Sequence, residues 1–130
     1  MVESSLSALT KQVKKLGNAS SLHSAGRSVR KDLEAAREEL AAAAGCAPSE
    51  IIFTSTGTEA NNLAIKGLFW NGAKDNKKVI ITSTFEHHAV MDPIVWLAEH
   101  EGAQVVGISV DRKGFIDFKE LAEAVEKHKG

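Results

Sequence analysis

The chain contains one cysteine, Cys46, so no disulfide can form within it. It has no apolar run approaching the ~20 residues that cross a bilayer. It has no internal repeat and no low-complexity tract. Its net charge of −1 gives no electrostatic case for a nucleic-acid or membrane partner. The opening residues are amphipathic and basic, which is not a secretory leader pattern. These absences make a reducing cytoplasm the simplest expected compartment. What remains is ordinary for a globular protein: 43% hydrophobic and 25% charged residues. One hundred and thirty residues suit a single domain, 1–130.

The informative stretch is Ile51 to Leu68, IIFTSTGTEANNLAIKGL. Ile51-Ile52-Phe53 is β-branched and aromatic and reads as a buried strand. After Thr54-Ser55-Thr56-Gly57-Thr58 the apolar spacing becomes helical at Ala60, Leu63, Ala64, Gly67 and Leu68. Thr56 and Glu59 have capping-box spacing, which starts the helix near Gly57. The first N–H groups of a helix lack intrahelical partners, and the dipole favours an anion there. Gly57 would let an anion approach the backbone, and the Thr58 hydroxyl adds a donor. The plain alternative is that Gly57 only makes a turn and the hydroxyls only cap.

The spacing predicts further elements on either side. Val2 to Leu16 carries Leu6, Leu9, Val13 and Leu16 at steps of three and four, an amphipathic helix with Gly17 past its end. A second helix places Val29, Leu33, Ala36, Leu40 and Ala43 on one face and stops at Gly45, with Pro48 beyond. Val79 to Thr82 and Gln104 to Val110 read as strands. A helix between them runs from the Ser83–His88 loop to about Glu101, or starts later if Asp92-Pro93 is its N-cap and N1. Asp117 caps a last helix whose Phe118, Leu121 and Val125 should face inward. Alternating strands and helices predict an α/β fold with a parallel sheet and right-handed crossovers. The loops after the strands then share one sheet edge, where such folds place ligands.

Three ordered stretches resemble one family: GNASSLHSAGR from Gly17, FTSTGTEANNLAIKG from Phe53 and ITSTFEHHAV from Ile81. They are similar to cysteine desulfurases, pyridoxal-phosphate enzymes of the class V aminotransferase group. The family usually has Ser-Gly-Gly/Ala-Thr-Glu where this chain has Ser55-Thr56-Gly57-Thr58-Glu59. The resemblance implies part of the parallel-sheet large domain of a fold type I transferase. It makes Gly57 and Thr58 phosphate-binding residues, and it makes His87 a residue that stacks on the cofactor ring and is a catalytic acid–base candidate. It implies pyridoxal 5'-phosphate as cofactor, L-cysteine as substrate and a sulfur-acceptor protein as partner. Alanine and an enzyme persulfide would be the products, and a homodimer or other self-association the state.

Taken without the resemblance, His87 reads more simply as a hydrogen-bonded loop histidine. Glu86-His87-His88 offers adjacent residues that rarely chelate one ion, so no metal site is expected. Cys46 reads as a small structural thiol, because the family's persulfide-forming cysteine lies far downstream. His23 and Arg27 fall in the segment that the resemblance places near the substrate or the dimer partner; Arg27 reads equally as a solvated first-turn residue. Trp70 and Trp96 read as packing residues.

The family's Schiff-base lysine stands in a Ser-x-His-Lys context, and no lysine of this sequence does. The family's carboxylate for the pyridine nitrogen comes later too, and its Asn-Ala-Ala-Thr-Thr opening has no counterpart here. The resemblance therefore implies roughly the first third of a desulfurase, cut at both ends and inactive alone. Alternatives are a selenocysteine lyase or another class V member, and a non-catalytic α/β piece that binds anions or self-associates.

Overall fold

A computed structural model describes residues 2–15 and 17–129. The Cα positions divide the chain into two compact units, residues 1–53 and residues 54–130.

The first unit holds two helices and a short turn. Helix α1 spans Glu3–Val13 and α2 spans Ser24–Ala44, followed by a 3₁₀ turn at Pro48–Glu50. Helix α1 buries none of its residues, so its expected apolar face is open; Leu16, predicted on that face, lies outside the described residues. The helix ends before Gly17. That glycine serves packing instead of termination: a Cβ there would meet the Ala25 carbonyl oxygen at 2.8 Å and Val29 Cγ2 at 2.8 Å. Helix α2 does stop at Gly45, which takes the left-handed conformation with φ 71°. Its predicted stripe is not its buried one. Gly26 and Ala41 are buried, while Leu33 and Leu40 stay exposed.

The predicted strand at Ile51–Phe53 is extended chain without a ladder. A strand needs a neighbour for its backbone groups, and here those groups bind elsewhere. The Ile51 N–H donates to the Pro48 carbonyl at 3.2 Å. The Ile51 carbonyl accepts from the Arg37 guanidinium of α2, which also lies 4.9 Å from the Phe53 ring centroid. Ile52 remains 67% exposed.

The second unit is a βαβ arrangement with a helix before and after it. Helix α3 (Gly57–Ala73) leads to β1 (Val79–Ser83), α4 (His88–Glu101), β2 (Gln104–Ile108) and α5 (Phe118–Lys127). Strands β1 and β2 pair in parallel, with Val79 opposite Gln104 and Ser83 opposite Ile108. Two strands, not three, form the sheet among the described residues. Helix α4 begins at His88 and keeps Pro93 inside and buried, so Asp92-Pro93 does not start it. Gly102 ends it with φ 72°. On α5 the inward residue is Ala124. Phe118 is 71% exposed, and Val125 is exposed too.

The core gathers Phe69, Leu97 and Ala103, with Ile65, Ala73 and Ile80 against them. These residues come from the second half of α3, the late part of α4, the start of β1 and the residue just before β2. Helices α3 and α4 pack against each other, with their C-terminal halves at the base of the sheet. Helix α4 starts at the opposite end, just after β1 finishes.

Candidate functional site

Helix α3 begins with a cap built from local chemistry. Thr56 is extended (φ −148°, ψ 160°), and its hydroxyl accepts from the Glu59 N–H at 3.1 Å. A threonine is comfortable there because that backbone is ordinary β geometry; the usual family glycine is not required. The Glu59 carboxylate reaches back to Ser55, accepting its N–H at 2.7 Å and its hydroxyl at 2.5 Å. Those two donors hold the Glu59 carboxyl below its ordinary range.

Capping consumes Ser55, Thr56 and the Glu59 N–H, and it leaves Gly57 and Thr58. These are the first two helical residues, and within the described residues neither N–H is used in a hydrogen bond. A Cβ on Gly57 would meet nothing within 4 Å. Thr58 is exposed and its hydroxyl makes no bond among the described residues. Two free N–H groups, a hydroxyl and open space fit a phosphate group. Glu59 is a negative charge beside them, and its bonds to Ser55 occupy it.

His87 sits at the corresponding place on the neighbouring helix. It is the N-cap of α4, with φ −68° and ψ 150°, and its Nδ1 accepts from the Ala89 N–H at 3.0 Å. The preceding loop is tied down by three bonds. The Thr84 N–H donates to the Ile108 carbonyl at 3.0 Å. The Ser83 hydroxyl donates to Glu86 Oε1 at 2.8 Å and accepts from the Phe85 N–H at 3.3 Å. The His87 ring is exposed, and the His88 ring stands edge-on to it with centroids 6.2 Å apart. Gly57 and Thr58 open α3, and His87 caps α4, the helix that packs against it.

The other residues singled out in the sequence lie apart from this arrangement. Cys46 is half-buried just past the end of α2. His23 is the N-cap residue of α2 without a side-chain cap bond, and Arg27 donates to the Leu22 carbonyl at 2.6 Å. Trp96 stacks on His100 at 5.0 Å and carries the Lys66 ammonium 4.0 Å from its ring centroid. Sequence spacing alone missed the capping roles of Glu59 on Ser55 and of His87 on α4. The proximity of Ser55 to Glu59 and of His87 to Ala89 was the available signal. Among the described residues no group of three His, Cys, Asp or Glu side chains could hold a metal ion, and no helix is long and apolar enough to cross a membrane.

The family model for class V aminotransferases matches residues 3–129. An IscS-like cysteine desulfurase of Mycobacterium tuberculosis is 47% identical over 115 residues, covering 87% of this chain and 29% of the relative. The solved structure of a NifS-like protein superposes with a TM-score of 0.85 at 32% identity, over 98% of this chain and 35% of that one. The structure of SspA in complex with cysteine gives 0.81 at 31% identity, over 98% and 37%. The chain thus spans 29–37% of the length of these proteins.

Proposed function

The chain belongs to the class V aminotransferase family, and from that we propose that it forms the phosphate cup and ring platform of a pyridoxal-phosphate cysteine desulfurase. The observation that carries the reading is the pair of uncommitted N–H groups at Gly57 and Thr58, the first two residues of α3. Gly57 and Thr58 would hold the cofactor phosphate, and His87 would stack on the pyridine ring. When bound, pyridoxal phosphate supplies an electron sink at the substrate carbon.

This chain's residues bind and orient. The α3 terminus neutralises the phosphate through backbone donors and the dipole. The loop from Ser83 to His87 fixes the imidazole relative to the sheet edge. We assign both compact units to one cofactor domain of a protein that acts on L-cysteine, passes sulfur to an acceptor protein and leaves alanine. The named relatives are cysteine desulfurases, and one neighbour was solved with cysteine; both support this reading. A homodimeric state and a reducing cytoplasm complete it.

Titration of the labelled chain with inorganic phosphate tests the cup. Charge-assisted hydrogen bonds contribute about 1.5–3 kcal/mol each before desolvation. Without ring contacts the affinity should be roughly millimolar. The amides of Thr56 to Glu59 should move first, and Thr58→Val should weaken the effect. Largest shifts elsewhere, with Thr58→Val unchanged from the parent chain, would sink the assignment.

A further inference from the structure

The imidazole of His87 does two things that constrain each other. Its face is exposed to solvent, and its Nδ1 closes the first turn of α4. The Ala89 backbone N–H can only donate, so Nδ1 must present a lone pair at the 3.0 Å contact. A neutral imidazole with a lone pair on Nδ1 carries its proton on Nε2. We infer that the α4 cap locks His87 as the Nε2–H tautomer, leaving Nε2–H as the only ring nitrogen with which it can act on a bound ligand. The inference rests on the reading of His87 as the ring platform.

The consequence is a division of labour between the two nitrogens. Nε2–H donates a hydrogen bond or holds a proton. Nδ1 is the only ring site with a free pair for an incoming proton, and that pair is already used. Proton uptake there would turn Nδ1 into a donor facing another donor, and α4 would lose its side-chain cap. In the capped state His87 is therefore a stacking surface and a donor, and proton acceptance requires Nδ1 to leave the Ala89 N–H. The loop supports the arrangement, since the Ser83–Glu86 bond and the Thr84–Ile108 bond hold the chain that enters the cap.

A second histidine supplies an internal reference. His100 Nδ1 lies 3.0 Å from the Trp96 carbonyl oxygen. A carbonyl can only accept, so His100 must carry its proton on Nδ1. The same helix thus fixes one histidine in each tautomer: His87 at its entrance, His100 in its last turn.

Long-range ¹H–¹⁵N correlation of the labelled 130-residue chain reads both rings directly at about pH 8.5, above the ordinary imidazole range. His87 should show a protonated Nε2 and an unprotonated Nδ1, with a scalar coupling across the bond to the Ala89 nitrogen. His100 should show the reverse. In His87→Ala the Ala89 amide should exchange roughly tenfold faster, the loss expected for a missing N-cap side chain. In His87→Asn, which can cap, exchange should stay near the parent value. An Nδ1–H or fast-averaged His87 ring overturns the inference, as does equal Ala89 exchange in all three proteins. Adding pyridoxal phosphate separates the inference from the site reading: a His87 ring whose resonances ignore the ligand overturns the platform role, while the tautomer measurement stands by itself.

Discussion

Glu59 is bound to Ser55, the residue just before its own helix cap, by two hydrogen bonds of 2.7 and 2.5 Å. An ordinary capping box would return the carboxylate to the N–H of the cap residue itself. Here Thr56 caps α3 with its hydroxyl, and Glu59 fixes the residue ahead of it. The turn before Gly57 is thereby held from both sides, with the Gly57 and Thr58 amides free.

That relationship sets a pH response. The Ser55 donors hold the Glu59 carboxyl below its ordinary range. A depressed folded-state value favours the fold above the unfolded-state value, and the contribution is lost as pH falls through the depressed one. The α3 entrance should therefore loosen only below the usual carboxylate range. Carboxyl ¹³C titration should place Glu59 below a typical exposed glutamate, and Ser55→Ala should move it back toward one. The effect on global stability should be small, because the pair is exposed. A Glu59 titration unaffected by Ser55→Ala would show that the bond does not persist in solution.

The covalent chemistry of the family gives a second expected outcome. None of this chain's lysines stands in a Ser-x-His-Lys context. Incubation with pyridoxal phosphate, borohydride reduction and mass spectrometry should give scattered, substoichiometric lysine labelling. One stoichiometric adduct at a single lysine would contradict the proposed division of the site.

The core cluster is thin, so it should be sensitive. Leu97 is fully buried at 0% exposure between α3 and the strand bases. Leu97→Ala removes contacts that neighbours refill only in part, at a cost of about 2–5 kcal/mol. Against a typical total of roughly 5–15 kcal/mol, that should lower the urea midpoint sharply or abolish the transition. A cost under about 1 kcal/mol would mean that Phe69, Leu97 and Ala103 are not packed as one core.

Local chemistry was legible in the sequence wherever a residue acts on its own neighbours. Gly45 and the Thr56 and Asp117 caps follow from short-range rules, and each stands where spacing predicts. The parallel β1–β2 pair follows from alternation, and the three family-like stretches carried the identity. What spacing could not supply was the partner of each surface. Ile51–Phe53 has strand composition, but Arg37 takes the Ile51 carbonyl instead of a neighbouring strand. Phe118 has an inward-looking position, but Ala124 is the residue of α5 that is buried. Gly17 has the look of a helix stop, yet it is small because Ala25 and Val29 lie against it. Each of these depends on tertiary neighbours, which periodicity does not encode.

The surfaces left open give the last prediction, that the chain self-associates. Strands β1 and β2 each pair on one side only among the described residues, and an unpaired strand edge is a template for another copy. Leu68 on α3 is 75% exposed, and Leu63, Trp70, Phe85, Phe115 and Phe118 are exposed in the same unit. A groove of about 360 Å³ lined by Ile65, Leu68, Phe69, Val79 and Ile80 runs beside β1. Burying even ~400 Å² of such surface between copies contributes on the order of 10 kcal/mol gross, before association entropy is subtracted. A second copy is the occupant that matches both the apolar groove and the open edge. Sedimentation equilibrium over a wide concentration range should show mass rising above the 13.9 kDa of one chain. Leu68→Lys should return the distribution toward monomer, because a charge in a shared apolar contact is costly. A monomer at every concentration, with the β1 and β2 amides on both edges protected from exchange, would show that the chain covers these surfaces without a partner.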